Sequence, residues 1–286
     1  MRGLFIAAFF CTMTPLLISI QWVLGKLGLP GWGFIASNYY KVLRGLLRIR
    51  VRVVGTPVHG RAVLYVSNHV SWSDIVVIGS LAPVAFVAKR EVASWPLVGI
   101  TAKIQRTVFV DRTRRHQTGD AVSQIVERLK GGTSVLLFAE GTSSDGNRVL
   151  PFRSALLGSV EDAAATHQGG ADAILIQPIA ITYTGQQGMP MRRSQRPLVA
   201  WYGDLDFMPH IKRFVGEGVV DAVVSYGAPV PADGTLDRKA MTRKLHEDVR
   251  RLMVSALRGR PIPASQPQPA APSVTVDLVA QEKISA

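Results

Sequence analysis

The chain has 286 residues, 33 basic side chains against 20 acidic ones, a net charge of +13 and a positive mean hydropathy of +0.19. Its length suits one large domain with appendages, with a core big enough to need no disulfide or metal staple. A lone cysteine, Cys11, excludes an intrachain disulfide and any cysteine-built metal cage, while the charge predicts an anionic partner: lipid, nucleic acid or acidic protein. Positive hydropathy, and basic runs without interleaved aromatics, favour anionic membrane lipid over nucleic acid.

Residues 3–25 carry no charge and are mostly Leu, Ile, Phe, Ala and Val. At about 1.5 Å per residue they are long enough to cross a hydrocarbon core of about 30 Å. Pro15 predicts a kink, and Thr12, Thr14, Ser19 and Gln21 dilute the apolarity. A cleaved signal peptide is the rival reading, but no small-x-small cleavage site follows Trp22. Arg2 lies on one side, and Lys26, Lys41, Arg44, Arg48, Arg50 and Arg52 crowd the other. The positive-inside rule therefore predicts an inner-membrane protein whose remaining chain faces the cytoplasm. Residues 34–49 show helical amphipathicity, with Phe34, Ile35, Tyr39, Val42, Leu43, Leu46 and Leu47 against Lys41, Arg44 and Arg48. Both an interfacial helix with cations on anionic headgroups and an ordinary core-packing helix fit that pattern.

From Arg50 onward, β-rich runs alternate with helical patterns. Strands are expected at 51–54, 63–66, 84–88, 107–110, 135–138, 174–181, 198–202 and 222–226, and helices near 73–82, 94–104, 116–130, 155–166 and 237–257. The alternation predicts an α/β fold, a mixed and largely parallel sheet flanked by helices. Three segments follow: a membrane anchor with its amphipathic helix over 1–49, a catalytic domain over 50–258, and a flexible tail over 259–286 marked by Pro261, Pro263, Pro267, Pro269 and Pro272.

No Asp or Glu occurs before Asp74, five positions after His69 in Ser67-Asn68-His69-Val70-Ser71-Trp72-Ser73-Asp74. The expected strand 63–66 delivers His69 to a carboxyl-terminal sheet edge, where α/β proteins carry reactive groups. Asp74, in the first turn of the next helix, can fix the imidazole tautomer and leave the other nitrogen to take a proton. It can equally serve as a favourable charge at a helix start, beside Ser71 or Ser73 as cap. No Gly-x-Ser-x-Gly elbow occurs, so a hydroxyl activated by His69 would belong to a substrate.

Two further stretches carry chemical potential. Glu140-Gly141-Thr142-Ser143-Ser144-Asp145-Gly146 follows the strand 135–138, where a turn of backbone N–H groups can meet an anion or oxyanion, or simply reverse the chain. Thr107-Val108-Phe109-Val110-Asp111-Arg112 ends in a guanidinium suited to phosphate or carboxylate, or to pairing with Asp111.

Taken in order, Asn68-His69-x4-Asp74, Phe109-Val110-Asp111-Arg112, Phe138-Ala139-Glu140-Gly141-Thr142 and Gln177-Pro178-Ile179 resemble the 1-acylglycerol-3-phosphate acyltransferase family over roughly residues 50–230. Lys89 and Pro96-Leu97-Val98-Gly99 fit the same pattern. The resemblance implies acyl transfer from acyl-CoA or acyl carrier protein to a lysolipid hydroxyl, with no cofactor or metal. In that scheme His69, oriented by Asp74, is the base, and backbone donors near Gly141 and Thr142 steady the oxyanion. Arg112 grips the acceptor head, Phe109 belongs to the same motif, and Glu140 orients acceptor or loop.

Two departures concern the acceptor. Ser143 stands where the family usually has arginine, and Arg106 where it commonly has glycine; Arg106, Arg148 or Arg153 could replace the missing charge. The run Asp145 to Phe152 resembles acyltransferases that complete ornithine lipids. The default acceptor is therefore 1-acyl-sn-glycerol 3-phosphate, with lyso-ornithine lipid as alternative. A non-catalytic lipid-binding protein and a nucleic-acid binder are the remaining classes, and the latter has no recognisable motif.

Overall fold

The computed structural model describes residues 2–27, 31–95, 98–111, 116–155, 157–158, 160, 174–232 and 237–260. The expectations placed on Pro96, Leu97 and Arg112, on most of the 155–166 helix and on nearly all of the tail lie outside these residues.

Strands β1 (Ile49–Val54), β2 (Val63–Ser67), β3 (Ala85–Lys89), β4 (Val108–Val110), β5 (Val135–Phe138), β6 (Leu175–Gln186), β7 (Met189–Pro190), β8 (Val220–Tyr226) and β9 (Val230–Pro231) form one sheet among the described residues. The main order is β1-β8-β6-β2-β5-β3-β4, with β7 and β9 also paired to β6. β6, β2, β5, β3 and β4 run parallel, and β8 reverses against β6 and carries β1 parallel to itself. β2 and β5 are buried along their whole length, which their continuous apolar sequences anticipate for strands covered on both faces.

Alternation along the strands sorts two apolar layers. Tyr65, Phe86, Leu136, Phe138, Ile179, Ile181 and Tyr183 face helices α2 (Trp32–Leu46) and α3 (Ser73–Gly79) through Tyr39, Tyr40, Leu43, Val76, Val77 and Ile78. Leu64, Val66, Val87, Val108, Val135, Leu137 and Ile176 face α5 (His116–Lys130) and the carboxyl-terminal α8 (Arg238–Leu257) through Ile125, Leu129, Met241 and Leu245. The expected α/β sheet with helices on its faces is thus the fold observed.

The first helix, α1 (Arg2–Lys26), is uninterrupted across Pro15 and is hydrogen-bonded to the rest of the chain through Arg2, Thr14 and Gln21. Arg2 Nη1 donates to the Val215 carbonyl (3.0 Å), Thr14 Oγ1 pairs with Tyr39 OH (2.8 Å), and Gln21 Nε2 donates to the Trp32 carbonyl (3.1 Å). Leu4, Phe5, Leu16, Ile20, Trp22 and Val23, on its other side, are exposed. Of the segment 34–49, residues up to Leu46 belong to α2 and Ile49 already opens β1; Tyr39, Tyr40 and Leu43 are core residues, as the core-packing reading expects, while Phe34 and Val42 stay exposed.

The structure differs from the sequence pattern in three places. Leu198–Tyr202 is no strand: Arg196–Val199 makes one helical turn (α6), and Trp201 N–H then donates singly to the Val70 carbonyl (3.0 Å) without a ladder. Helix α7 (Phe207–Gly216), with Pro209 in its first turn where proline is tolerated, was not anticipated. Of the expected 94–104 helix, Val98–Ile104 forms α4, and Ser94 instead ends a 3₁₀ turn over Arg90–Ser94.

Gly79 lets α2 cross close over α3, since a Cβ there would lie 2.3 Å from the Tyr40 ring. Tyr40 is itself fixed by Gln105 and by an edge contact to Phe86. Gly79→Ala should cost about 1–3 kcal/mol, more than the helix-propensity gain of about 1 kcal/mol, read as a lowered midpoint in urea unfolding.

Candidate active site

β2 ends at Ser67, and the next seven residues fold around one carboxylate. Asp74, completely buried, receives His69 Nδ1 (2.8 Å), Val70 N–H (2.7 Å) and Ser71 N–H (3.0 Å) on Oδ2. Its Oδ1 accepts the hydroxyl of Tyr183 (2.8 Å), which in turn pairs with Ser73 Oγ (2.6 Å). Asp74 therefore both orients the imidazole and closes the turn before α3. Neither Ser71 nor Ser73 caps that helix, since Ser71 Oγ has no partner and Ser73 is occupied by Tyr183.

An ionised carboxylate only accepts, so Nδ1 of His69 carries the proton and Nε2 is the basic nitrogen. The ring, 19% exposed, stacks on Phe138 at 4.0 Å between centroids and 19° between planes. Asn68 is buried and bonds both backbone groups of Ile181 on β6, at 2.9 Å each. Asn68 thus anchors the histidine turn to the neighbouring strand. Gln177, likewise buried, ties β6 to Val58, Thr56 and Gly227.

The loop after β5 is bonded to the same turn. Ala139 N–H donates to the Ser67 carbonyl and Ser144 N–H to the His69 carbonyl, at 3.0 and 2.8 Å. Gly141 has φ +73, and its N–H is directed at the Phe138 carbonyl (3.2 Å), which removes it from the expected oxyanion donors. Thr142 is exposed beside it. Ser143 Oγ donates to the Trp201 carbonyl, so the position that usually bears arginine here links two loops.

Glu140 is buried without a hydrogen bond of ordinary geometry to either oxygen. Burial pushes its carboxyl up to about 9, with a smaller push from Asp74, against only partial relief from the backbone of Leu150 and His69. Glu140 is therefore a neutral carboxylic acid near pH 7, braced behind the histidine turn.

Arg153 is exposed, with its backbone N–H on the Ala139 carbonyl and its Nε 3.4 Å from the Glu140 carbonyl, close to the site. Phe109 is half-buried on the sheet face that carries Phe138. Arg106 is not with them. It precedes β4, at the amino-terminal edge of the parallel strands, where its guanidinium covers the Trp32 ring (4.8 Å) and donates to Thr133 Oγ1 (3.1 Å). It lines a hollow of about 420 Å³ there, together with Pro83 and Gly132. The two edges are about 16 Å apart for a five-residue strand at about 3.3 Å per residue. Arg106 therefore cannot replace the missing charge beside His69.

Tyr183 was not singled out by the motif pattern, although strand parity puts it on the face of Ile179 and Ile181. Its burial, and then the charge of Asp74, hold the phenol well above its ordinary range, so it remains a donor. An aromatic wall of Trp72, Trp95, Trp201, Phe207 and Phe214 beside the turn was also missed; its members come from four separate stretches of chain.

The acyltransferase family profile matches residues 49–182. A lyso-ornithine lipid O-acyltransferase of Brucella abortus is 44% identical over 263 residues, 92% of this chain and 97% of that protein. Its counterpart in Rhizobium meliloti is 38% identical, over 94% of this chain and 90% of that one. A 1-acyl-sn-glycerol-3-phosphate acyltransferase of Neisseria gonorrhoeae is 31% identical, over 68% and 70% respectively. In fold, the chain matches the crystal structure of the 1-acyl-sn-glycerophosphate acyltransferase PlsC from Thermotoga maritima with a TM-score of 0.60. That match has 22% identity and covers 91% of this chain and 99% of that one.

Tyr183→Phe leaves Asp74 Oδ1 buried without its donor, a loss of about 1–3 kcal/mol, which should appear as a lowered unfolding midpoint. For Glu140, the unfolded chain ionises near 4.5 while the folded chain keeps the proton to about 9. Folding is thus increasingly disfavoured as pH rises between those values, by at most about 1.4 kcal/mol per pH unit. Glu140→Gln removes that penalty; thermal unfolding should show the variant gaining over the parent at pH 8, with the gain vanishing toward pH 4.5.

Proposed function

Because the chain belongs to the lysolipid and glycerolipid acyltransferase family, we propose that it transfers a fatty acyl group from acyl-CoA or acyl carrier protein to the free hydroxyl of lyso-ornithine lipid. The observation that carries the reaction is the buried Asp74 carboxylate on Nδ1 of His69. It leaves Nε2 to take the acceptor's hydroxyl proton as the oxygen attacks the thioester carbonyl. The tetrahedral intermediate then expels the carrier thiolate, which recovers the proton from Nε2. No acyl-enzyme is required, consistent with the absent nucleophile elbow. Donors beside Thr142 steady the oxyanion in this scheme, and Arg153 and Arg112 are candidates to hold the acceptor.

The acceptor assignment is supported by the near full-length likeness to lyso-ornithine lipid acyltransferases and by Ser143, whose hydroxyl is bonded to Trp201 where a cation would otherwise stand. Lysophosphatidate, the default by family frequency, is the second reading, favoured by the Neisseria relative.

The anchor acts at the surface of the membrane in this proposal. A helix crossing the bilayer must leave its soluble domain, whereas α1 is bonded to the domain near both ends and in the middle. Its exposed apolar side, with Trp22, and the exposed Phe34 of α2 suit burial in one leaflet, and the basic residues of α2 and β1 suit anionic headgroups on the cytoplasmic side of the inner membrane.

Membranes carrying His69→Ala or Asp74→Ala, given labelled acyl donor and lyso-ornithine lipid, should lose acylation by about 10²-fold or more. Unchanged transfer in both would favour a lipid-binding protein without catalysis. A deletion strain should lose ornithine lipid with phosphatidate unchanged, and the reverse lipid profile would favour lysophosphatidate.

A further inference from the structure

The loop after β5 and the turn that opens α6 converge beside His69 and bring a group of charged side chains with them. Ser144 N–H bonds the His69 carbonyl, and Trp201 N–H, two residues past α6, bonds the Val70 carbonyl. Between them Gly146, at φ +75, packs its α-carbon so closely that a Cβ would lie 3.2 Å from Val70 Cγ1 and 3.6 Å from Arg196 Cβ. Asp145, Asn147 and Arg196 are thereby fixed against the backbone turn that carries His69 rather than displayed on a loose surface.

Their bonding is incomplete in an informative way. Arg196 Nη1 donates to Asn147 Oδ1 (3.0 Å), while its Nε is buried without a partner. Burial and then the nearby Arg193 disfavour the charge of Arg196, with Asp145 offsetting them only in part. Two like charges held together, one partly desolvated, favour an anion between them. Each oxygen of Asp145 accepts one bond from Asn147, at 3.0 Å from the backbone and 3.1 Å from the side chain, which leaves room for a further donor on each. Although partial burial works against it, those bonds, with Arg148 and Arg193, keep Asp145 below the usual carboxylate range and hence ionised.

We propose that these residues form a cradle for a zwitterionic acceptor head: Arg193 and Arg196 take its carboxylate, and Asp145 takes its ammonium. The inference rests on the lyso-ornithine lipid reading. Ornithine acylated on its α-nitrogen keeps one carboxylate and one terminal ammonium, and only that pair uses both signs of charge present. A phosphate monoester would meet the guanidiniums but be repelled by Asp145, so Asp145 is the specificity-determining residue and the arginines are the shared anion-binding part.

The test uses the full-length protein in detergent–lipid micelles and three acceptors: lyso-ornithine lipid, its carboxyl methyl ester, and its terminally N-acetylated form. The parent enzyme should prefer the intact acceptor over each blocked one by about tenfold or more in kcat/KM, the worth of one charge-assisted hydrogen bond. Asp145→Asn should abolish discrimination against the N-acetylated form alone and raise use of lysophosphatidate. Arg193→Gln and Arg196→Gln should abolish discrimination against the methyl ester alone. Because each readout is a ratio within one variant, partial misfolding does not imitate it. Equal loss on all three acceptors in the variants would overturn the cradle while leaving the acceptor reading intact. A parent enzyme that acylates lysophosphatidate and not lyso-ornithine lipid would overturn the acceptor reading itself, visible before any variant is made.

Discussion

The carboxylate of Asp74 is the constraint on which the rest of the site depends. It is wholly buried, and four donors converge on it: an imidazole, two backbone amides and a phenol. A buried charge is tolerated only when its hydrogen bonds are made, so each donor must be delivered with precision. His69 must leave β2 at a fixed angle, α3 must begin at a fixed residue, and β6 must extend far enough to place Tyr183. The same requirement that stabilises the turn also fixes the tautomer that makes Nε2 basic. In the proposed reaction, structure and chemistry therefore use one group.

That demand explains features otherwise unrelated to catalysis. Asn68 occupies the position after β2 and copies a strand partner for Ile181, which locks β2 to β6. Gln177 does the same for the loops at the opposite edge. Two of the four sequence motifs are therefore partly braces: their amide side chains replace backbone pairing where strands end. Glu140 adds a neutral, buried carboxylic acid behind the turn, where an ionised one would set a second charge near Asp74.

Charge is distributed with equal economy. The first 73 residues contain no acid, and they form the helices and first strands on which the proposed membrane contact is built. The acidic group that enters the site is buried and saturated, while the partly exposed acid beside it, Asp145, stays ionised among arginines. A surface that attracts anionic lipid can thus keep local negative charge where an ammonium group would be recognised.

The sequence by itself determined the proposed reaction-bearing pair, the α/β architecture, the apolar helix and most of the strands. Each of these is written in short-range pattern: periodicity, a five-residue spacing, and continuous apolar runs. Tyr183 and the aromatic wall were beyond its reach, because residues 109 positions from Asp74, or spread over four segments, meet only when the sheet closes. The apolar run 198–202 imitated a strand because β-propensity reflects a pleated, half-buried environment, and no partner ladder is available there. Arg106 lay near a motif along the chain yet far from His69 in space, since it stands at the amino-terminal edge of the parallel strands and His69 at the carboxyl-terminal edge. Spacing along the chain could single out the groups proposed to do chemistry, but which of them stand together was decided by strand order and direction alone.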